Sequence, residues 1–512
     1  MIYNLIKKNQ YFDSVTLMLF SSKLSSIDGV IQAAVMMGTD HNKQLMTDSK
    51  TLDPKYLPDI TANDLIIGIN AKDQSAIDEA IRVLDEQFAN KVDSNKEGTT
   101  RAKNLDLALK EAPNSNIAVI SIPGRFARSE AMKALKKGLH VMLFSDNVPI
   151  DDEIALKEYA YKNDLLMMGP DCGTTIINGV ALGFSNVVRK GNIGLTAASG
   201  TGLQEVSVII DKLGAGISQG LGTGGRDLSE RVGGITMLQT LDALNNDPNT
   251  EVIGIISKPP HPSVMEKIIK KASTIKKPIV ACFLGADLNI FNNTNIIGTS
   301  TLESAAYTLV KLANNEKVDD VKNSPLYFDT KSWLENILPS KGKYIRALYS
   351  GGTLAFESLL LLNKFLPNLY SNIALDKKYN LDNPIESKEH TVLDMGEDFF
   401  TDGSPHPMID PDQRANRIVK DGLDKDTSVV LFDCVLGYGS TDYAAEAISK
   451  AINKVKEKRD DVVFIGSITG TNGDPQSLTL AEQTLKNAGA YVLPTNAQAA
   501  KFAFDVLKKR GL

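Results

Sequence analysis

Two short stretches rich in serine, glycine and threonine have the composition of anion-binding loops. The first, Ser199-Gly200-Thr201-Gly202, follows a short apolar run and precedes apolar residues at helical spacing. The second, Ser350-Gly351-Gly352-Thr353, has the same surroundings. A glycine turn between a strand and a helix leaves free backbone N–H groups at the positive end of the helix dipole. Both stretches therefore predict phosphate-binding sites, and we expect the two loops to face one shared anion.

Three side chains in or near proline-rich segments are candidate catalytic groups. Lys258 begins a segment that reads KPPH and could bind a phosphate or a carboxylate. His406 lies between two prolines and could transfer a proton, and Arg414 lies one turn into the helix predicted after it. Each has a structural alternative: Lys258 as a solvated loop residue, and His406 and Arg414 as members of a packed, hydrogen-bonded loop.

Acidic and thiol side chains give weaker signals. Asp394, Glu397 and Asp398 follow a predicted strand, where they could bind a metal ion, accept hydrogen bonds from a carbamoyl NH₂ group, or cap the turn. The three cysteines are far apart, lie in or beside apolar runs and form no CxxC motif, which favours buried, reduced thiols. The cysteines therefore predict neither a zinc site nor a disulfide, and no metal-binding residues are assigned.

The segment from about 112 to 185 alternates strands and helices with short loops, a pattern typical of a doubly wound parallel sheet. Such sheets bind ligands at the carboxyl ends of their strands, which predicts a substrate cleft there. The candidate cleft residues are Pro123, Gly124, Ser145, Asp146, Asn147, Gly169, Pro170 and Asp171. The first turn lacks the dinucleotide fingerprint, so no NAD is expected, and the glycine run at 220–225 is predicted as a flexible loop over a ligand.

The chain as a whole is predicted to be an α/β protein of several domains. We predict a small α/β domain at 1–98, of a size that permits a ferredoxin-like sandwich, with strands at 14–20, 30–37 and 64–69. A Rossmann-like domain at 99–188 follows, and then flavodoxin-like domains at 189–313 and 344–512, joined by a linker at 314–343. Both flavodoxin-like domains open with the order Ser, Gly, Thr, apolar, Glu, which indicates an internal duplication.

The composition excludes several classes of protein. The chain has 512 residues, of which 42% are hydrophobic and 23% charged, and a formal net charge of −6. No basic run indicates nucleic-acid binding, and no apolar run indicates a membrane span or a signal peptide. With few, isolated cysteines, we expect a cytoplasmic protein that acts on small molecules.

Several motifs in one order give a resemblance to known enzymes. GPDCGTT (169–175), GNIGLTAASGTGLQE, GLGTGGRDL and NDPNTEVIGII resemble the α subunit of succinyl-CoA synthetase. SGGTL, VLDMGEDFF and SPHPMIDPDQR resemble the ligase domain of its β subunit, and nearly the full chain resembles the FdrA family of acyl-CoA-synthetase-like proteins. The resemblance implies that 99–188 is a CoA-binding-type domain and that the two flavodoxin-like domains are of the ligase type.

The chain departs from the resembled enzymes, which make acyl-CoA by way of a phosphohistidine held between two helix N-termini. No histidine follows Gly285, where the sequence reads ADLNIFNNTN. The segment SKPP at 257–260 stands where those enzymes carry a glutamate that steadies the histidine. The linker at 314–343 is too short to hold their ATP-grasp module, and no P-loop lysine motif occurs. We therefore expect the anion site to be kept and the ATP-driven phosphorylation to be lost.

An anion site without phosphorylation suits an enzyme that uses phosphate or carbamoyl phosphate directly as a substrate. The resemblance to the FdrA family implies a subunit of an oxamate carbamoyltransferase of allantoin breakdown, which interconverts oxalurate plus phosphate with oxamate plus carbamoyl phosphate. It also implies separately encoded partner subunits, and a homodimer is compatible with the sequence. The alternatives are an acyl-CoA synthetase and a CoA- or metabolite-binding protein. CoA stays open as a ligand, and no other cofactor is assigned.

Overall fold

The computed structural model describes residues 1–10, 12, 14–25, 27–93, 102, 104–401 and 404–511. The protein is α/β, and the chain divides into two compact units. The first unit comprises Met1–Glu111 with Thr401–Pro405, and the second comprises Ala112–Phe400 with His406–Leu512. Within the described residues, no helix combines the length and the apolar character that crossing a membrane requires.

The first unit contains an antiparallel sheet of three strands in the order β1-β3-β2. Its elements are β1 (Ile2–Lys7), α1 (Ser14–Ser25), β2 (Val30–Met37), α2 (Asp40–Asp48), β3 (Leu65–Ala71), α3 (Gln74–Asp93) and α4 (Leu105–Glu111). The strand predicted at 14–20 is wrong, because these residues begin α1. Leu17, Phe20 and Leu24 are buried at helical spacing, a period that a short apolar window conceals.

The second unit begins with a small parallel sheet of order β4-β5-β6. Its elements are β4 (Ile117–Ile120), α5 (Gly124–Lys136), β5 (His140–Leu143), α6 (Ile150–Lys162) and β6 (Met167–Met168). Strand and helix alternate as the sequence predicts for a Rossmann-like arrangement. A hairpin of β7 (Thr174–Ile177) and β8 (Val180–Gly183) then joins the next sheet.

A larger, mostly parallel sheet follows, with the strand order β13-β12-β11-β9-β10-β7-β8. Its further elements are β9 (Lys190–Ala197), α7 (Gly200–Lys212), β10 (Ile217–Gly222), α8 (Ile235–Asn246), β11 (Val252–Ser257), α9 (Pro262–Ala272), β12 (Ile279–Phe283), β13 (Ile296–Thr299) and α10 (Leu302–Ala313). The central strands β11 and β12 are fully buried and mostly apolar, as expected for a parallel sheet covered by helices on both faces.

The last sheet is entirely parallel and has the order β15-β16-β14-β17-β18-β19. After α11 (Lys331–Glu335), its elements are β14 (Tyr344–Tyr349), α12 (Gly352–Asn363), β15 (Leu369–Ser371), β16 (His390–Asp394), α13 (Asp398–Thr401), α14 (Asp412–Leu423), β17 (Thr427–Val435), α15 (Ala444–Lys456), β18 (Val463–Thr469), α16 (Leu478–Asn487), β19 (Tyr491–Leu493) and α17 (Asn496–Lys509).

The two larger sheets share one topology. The order β10-β9-β11-β12-β13 in the first matches β16-β14-β17-β18-β19 in the second, which is the flavodoxin-like order. The equivalent helices pack together, α7 and α10 from one half against α12 and α17 from the other, around a continuous apolar core. The shared strand order is what the predicted internal duplication requires.

A reciprocal pair of glutamates joins the two halves. Glu205 on α7 accepts a hydrogen bond from the backbone N–H of Asn496, the first residue of α17, at 3.1 Å. Glu357 on α12 accepts one from the N–H of Leu302, the first residue of α10, at 2.8 Å. Each half therefore caps the last helix of the other, which explains the glutamate that the two loop sequences share.

Candidate functional site

The two glycine loops are in direct contact within the second unit. Ser199 is the N-cap of α7, and its hydroxyl accepts a hydrogen bond from the Gly202 N–H at 3.0 Å. The same hydroxyl lies 2.5 Å from the hydroxyl of Thr353, on α12. The Thr353 N–H donates to the Thr201 hydroxyl at 3.2 Å. We call residues 199–202 and 350–353 together the loop junction.

Several backbone N–H groups at the loop junction have no acceptor among the described residues. They belong to Gly200 and Thr201, at the start of α7, and to Gly352, at the start of α12. All three residues are partly exposed. Unpaired N–H groups at a helix N-terminus attract negative charge through the helix dipole. The junction therefore offers donors from two helices to one small oxyanion.

Ser350 and Gly351 donate instead to a buried carboxylate of the protein. Asp433, on β17, accepts hydrogen bonds from the Ser350 N–H at 2.9 Å and the Gly351 N–H at 2.7 Å. Arg414 donates to the same carboxylate at 2.5 Å, and this ion pair is fully buried. Arg414 thus holds Asp433 beneath the second loop, while Gly352 and Thr353 are the residues of that loop nearest the first.

Lys258 is an exposed cation that contacts α12, the helix that begins at the second glycine loop. It directly follows β11, and its side chain is exposed. The Lys258 ammonium lies 5.0 Å from the ring centroid of Phe356, on α12. Its charge also lowers the pKa of Asp394, which places it at the carboxyl ends of both larger sheets. Its position suits a residue that neutralises an anion.

Asp394 ends β16 and is only 3% exposed. Its Oδ1 accepts a hydrogen bond from the Gly396 N–H at 2.9 Å. A Cβ added to Gly352 would lie 2.4 Å from its Oδ2, so the carboxyl group borders the loop junction. Burial, and then the charge of Glu397, raise the pKa of Asp394 to about 7. This carboxyl group can therefore gain or lose a proton near neutral pH.

His406 lies on the other side of Gly396. A Cβ added to Gly396 would be 2.5 Å from its Nε2, and its Nδ1 accepts a hydrogen bond from the Met408 N–H at 3.2 Å. The imidazole also lies 5.9 Å from the Phe184 ring. Burial lowers the pKa of His406 to about 4, so the imidazole is neutral at pH 7 and carries its proton on Nε2. It can donate a hydrogen bond toward Gly396.

The predicted cleft residues gather at the carboxyl ends of β4, β5 and β6. The Ser145 hydroxyl accepts a hydrogen bond from the Ile122 N–H at 2.9 Å, and the Ser145 carbonyl accepts one from the Asp171 N–H at the same distance. A Cβ added to Gly124 would lie 2.4 Å from the Asp146 carbonyl oxygen and 2.5 Å from that of Asn147. Pro123 is the N-cap residue of α5, and Gly169-Pro170 directly precedes Asp171.

One carboxylate, that of Glu397, affects the pKa of a residue in this cleft and of a residue at the loop junction. Burial, and then the charge of Asp146, raise the pKa of Asp171 to about 6. Glu397 raises the pKa of Asp171 as well as that of Asp394, while Arg226 opposes the shift of Asp171. Glu397 therefore lies close enough to Asp171 in the cleft and to Asp394 at the loop junction to disfavour ionisation of both carboxyl groups.

The glycine run at 220–225 is held by a buried lysine. Residues up to Gly222 belong to β10, and the Thr223 carbonyl accepts a hydrogen bond from Lys157 at 2.9 Å. Lys157 also forms an ion pair with Asp227 at 2.7 Å, and both side chains are inaccessible to solvent. These contacts fix the segment, whereas the sequence predicted a flexible loop.

The segment after Gly285 forms a short 3-10 turn at Leu288–Phe291 and contains no histidine, in agreement with the sequence analysis. No group of three or more side chains that could hold a metal ion occurs in the described part of the chain. The site therefore consists of backbone N–H groups, hydroxyls, carboxyl groups, one lysine and one neutral imidazole.

Three family models match parts of the chain. A CoA-ligase model matches residues 348–506, and a CoA binding domain model matches 188–285, which includes the first glycine loop. A model described as "AllF, heavy metal-associated domain" matches residues 1–104. None of the three cysteines lies in that range, so it lacks the thiolates that soft heavy-metal ions prefer.

Two relatives show how far the similarity extends. YahF of Escherichia coli K12, an uncharacterized protein, is 40% identical over 98% of this chain and 98% of its own. The α subunit of the ADP-forming succinate–CoA ligase of Aquifex aeolicus is 30% identical over 35% of this chain, and the match spans 59% of that subunit.

Among solved structures, the apo form of a dinucleotide-forming acetyl-coenzyme A synthetase of Ca. Korarchaeum cryptofilum matches 77% of this chain and 83% of its own. The sequence identity is 18% and the TM-score 0.33. An ATP citrate lyase of Methanothrix soehngenii, solved with citrate and coenzyme A, matches 47% of this chain and 46% of its own, with 19% identity and a TM-score of 0.38.

Proposed function

Because the chain belongs to the FdrA family of acyl-CoA-synthetase-like proteins, which is related to succinyl-CoA synthetase, we propose that it transfers an acyl group between a carrier and inorganic phosphate at the loop junction. One observation carries the proposal. The two loops touch through Ser199 and Thr353, and the N–H groups of Gly200, Thr201 and Gly352 have no acceptor in the described residues.

A phosphate at the loop junction lies at the positive ends of α7 and α12. Each helix N-terminus contributes about 0.3–1 kcal/mol to the binding of an anion, and up to about 2 kcal/mol where the site is partly buried. The Lys258 ammonium adds a full positive charge on the same side. Fixing phosphate in one orientation aims an oxygen atom at the carbonyl carbon of the second substrate, which requires no covalent intermediate on the protein.

Our first candidate for the acyl carrier is CoA, which carries the acyl group on its thiol. The CoA-ligase and CoA binding models match the segments that contain the two loops. The cleft at the ends of β4, β5 and β6 adjoins the junction and is our proposed CoA site. The reaction is then acyl-CoA plus phosphate giving acyl phosphate plus CoA.

The second candidate is carbamoyl transfer, in which oxalurate and phosphate give oxamate and carbamoyl phosphate. The carboxyl groups of Asp171 and Asp394 favour it, because carboxylate oxygens accept hydrogen bonds from the amide N–H groups of oxalurate. The lack of a histidine after Gly285 favours both candidates over an ATP-driven ligase. In either case we propose that separately encoded subunits complete the active site.

The test uses the full chain, alone and with the proteins that co-purify with it. It is incubated with phosphate and either acetyl-CoA, succinyl-CoA or oxalurate, and free thiol and hydroxylamine-trapped acyl or carbamoyl phosphate are measured. Product that requires phosphate supports the proposal and identifies the carrier.

The variant Thr353→Val should lose most of this activity, whereas Thr274→Val, in an exposed position after α9, should keep it. Absence of acyl or carbamoyl phosphate with every substrate and partner, or equal activity in the two variants, would overturn the proposal.

A further inference from the structure

We propose that Asp394 is the proton-exchanging residue of the loop junction, so that its carboxyl group takes up a proton when an oxyanion binds and returns it during transfer. The uptake of a proton depends only on the anion site. The role in transfer rests on the proposed function.

The backbone around Asp394 is fixed on both sides. Its N–H donates to the side-chain oxygen of Asn372 at 3.0 Å, and its carbonyl accepts from the same amide at 2.7 Å. The carboxyl oxygen Oδ1 accepts from the Gly396 N–H at 2.9 Å. Asn372 and Gly396 together give the carboxyl group one orientation.

The other oxygen is directed to the place where we put the anion. Oδ2 accepts no hydrogen bond from the described residues, and Gly352 has room for it only because that residue lacks a Cβ. The Gly352 N–H is one of the unpaired donors of the loop junction. An oxyanion that binds this donor therefore comes close to Oδ2, and two negative groups meet unless one of them is protonated.

Asp433 positions the second glycine loop, and its surroundings differ from those of Asp394. Both oxygens of Asp433 accept hydrogen bonds from the second glycine loop, and Arg414 supplies a paired positive charge. Among the described residues, no arginine pairs with Asp394. A carboxylate that only held the loop in place would use both oxygens to do so.

Some of the charges that face Asp394 raise its pKa and others lower it. Glu397 and Asp433 raise its pKa, and Lys258 lowers it. His406 is neutral near pH 7, so it adds no charge. The starting pKa of Asp394 is about 7. A bound dianion raises it further, and the carboxyl group is then protonated at neutral pH.

In the transfer reaction the proton has a defined path. An oxygen of HPO₄²⁻ forms a bond to the acyl carbon, and the bond from that carbon to the leaving nitrogen or sulfur breaks. The protonated Asp394 gives its proton to the leaving group, and its carboxylate then receives the proton that the attacking phosphate carried. The products are the acyl phosphate dianion and the neutral thiol or amide, so atoms and charges balance.

Sulfate is the probe for the binding step, because it has no proton to exchange in this pH range. Calorimetric titration of the full chain with sulfate, in two buffers of different ionisation enthalpy, gives the number of protons taken up on binding. Near pH 7.5 we expect a substantial fraction of one proton for the wild type and none for Asp394→Asn. Asp382→Asn, an exposed aspartate twelve residues earlier in the chain, should behave as the wild type.

A measurement on the wild type alone covers the case in which Asp394→Asn does not fold. Its sulfate affinity should fall by up to about tenfold per pH unit above the pKa of the free protein, because one proton is linked to binding. Binding without proton uptake, or equal uptake in Asp394→Asn, would overturn this inference and leave the anion site standing. No sulfate binding at all would overturn both.

Discussion

Changing Glu357 to glutamine should remove a pH-dependent loss of stability from the second unit. Glu357 is 1% exposed, and its oxygens accept hydrogen bonds from the Leu302 N–H and the Asn496 amide, both at 2.8 Å. Burial raises the pKa of Glu357 from its ordinary value of 4.5 to about 7. The variant keeps the shape of the side chain and cannot ionise.

The raised pKa of Glu357 determines whether stability rises or falls with pH. The folded protein binds this proton more tightly than the unfolded chain, so the free energy of unfolding is highest below the unfolded pKa of 4.5. It falls as the pH rises toward about 7, and the loss is complete above that value. A shift of this size amounts to about 3 kcal/mol, of which about 2–3 kcal/mol falls between pH 5 and pH 8.

The single tryptophan of the chain gives a convenient assay. Trp333 packs on Phe328, Tyr491 and Phe502, so its fluorescence follows unfolding of the second unit. Urea unfolding is measured between pH 5 and pH 8 for the wild type, for Glu357→Gln and for Glu316→Gln, whose side chain is 49% exposed.

Between pH 5 and pH 8 the free energy of unfolding should fall by about 2–3 kcal/mol more in the wild type than in Glu357→Gln. Glu316→Gln should show the same fall as the wild type. If the wild type and Glu357→Gln changed in parallel over this range, Glu357 would titrate normally, and the reasoning from burial would be refuted.

Three further changes test the loop junction. Asp433→Ala leaves the guanidinium of Arg414 buried without its carboxylate, and we expect urea unfolding to show a loss of about 3–5 kcal/mol. Lys258→Ala should weaken sulfate binding by about 2–5-fold in calorimetry at low salt, and the difference should shrink at high salt because the lysine is exposed. Thr353→Val removes the contact with the Ser199 hydroxyl and should weaken phosphate binding by about 2–10-fold, with little change in melting temperature.

The sequence predicted the central strands of the parallel sheets, because β11, β12 and β17 are buried, mostly apolar runs, but it missed the short strands β13 and β15. The strand predicted at 30–37 is β2 with the same bounds, and the short apolar runs on either side of the first glycine loop are β9 and α7. The first unit was harder to predict. The apolar run at 14–20 fits a strand or a helix equally well, and β1 carries lysine and asparagine among its apolar residues.

The candidate site was predicted only where a short motif specifies the backbone. Glycine turns before helices identified the loops, but no sequence pattern indicates that Asp433 accepts hydrogen bonds from two N–H groups of the second loop. The available signal was a lone aspartate inside a buried apolar strand, which needs a partner of opposite charge. That partner, Arg414, is 19 residues away in the chain, so spacing alone does not connect the two.

The reciprocal glutamates have a consequence for synthesis of the chain. The partners of Glu205, Thr469 and Asn496, come 264 and 291 residues later. A ribosome adds about 5–20 residues per second, so roughly 15–60 seconds pass before this acid meets the helix that it caps. During that interval the nascent first half has an acidic side chain and an apolar helix surface exposed to the ribosome and to chaperones. A chain that stopped before α17 would lack both the N–H group that Glu205 accepts from and the helix that packs on α12.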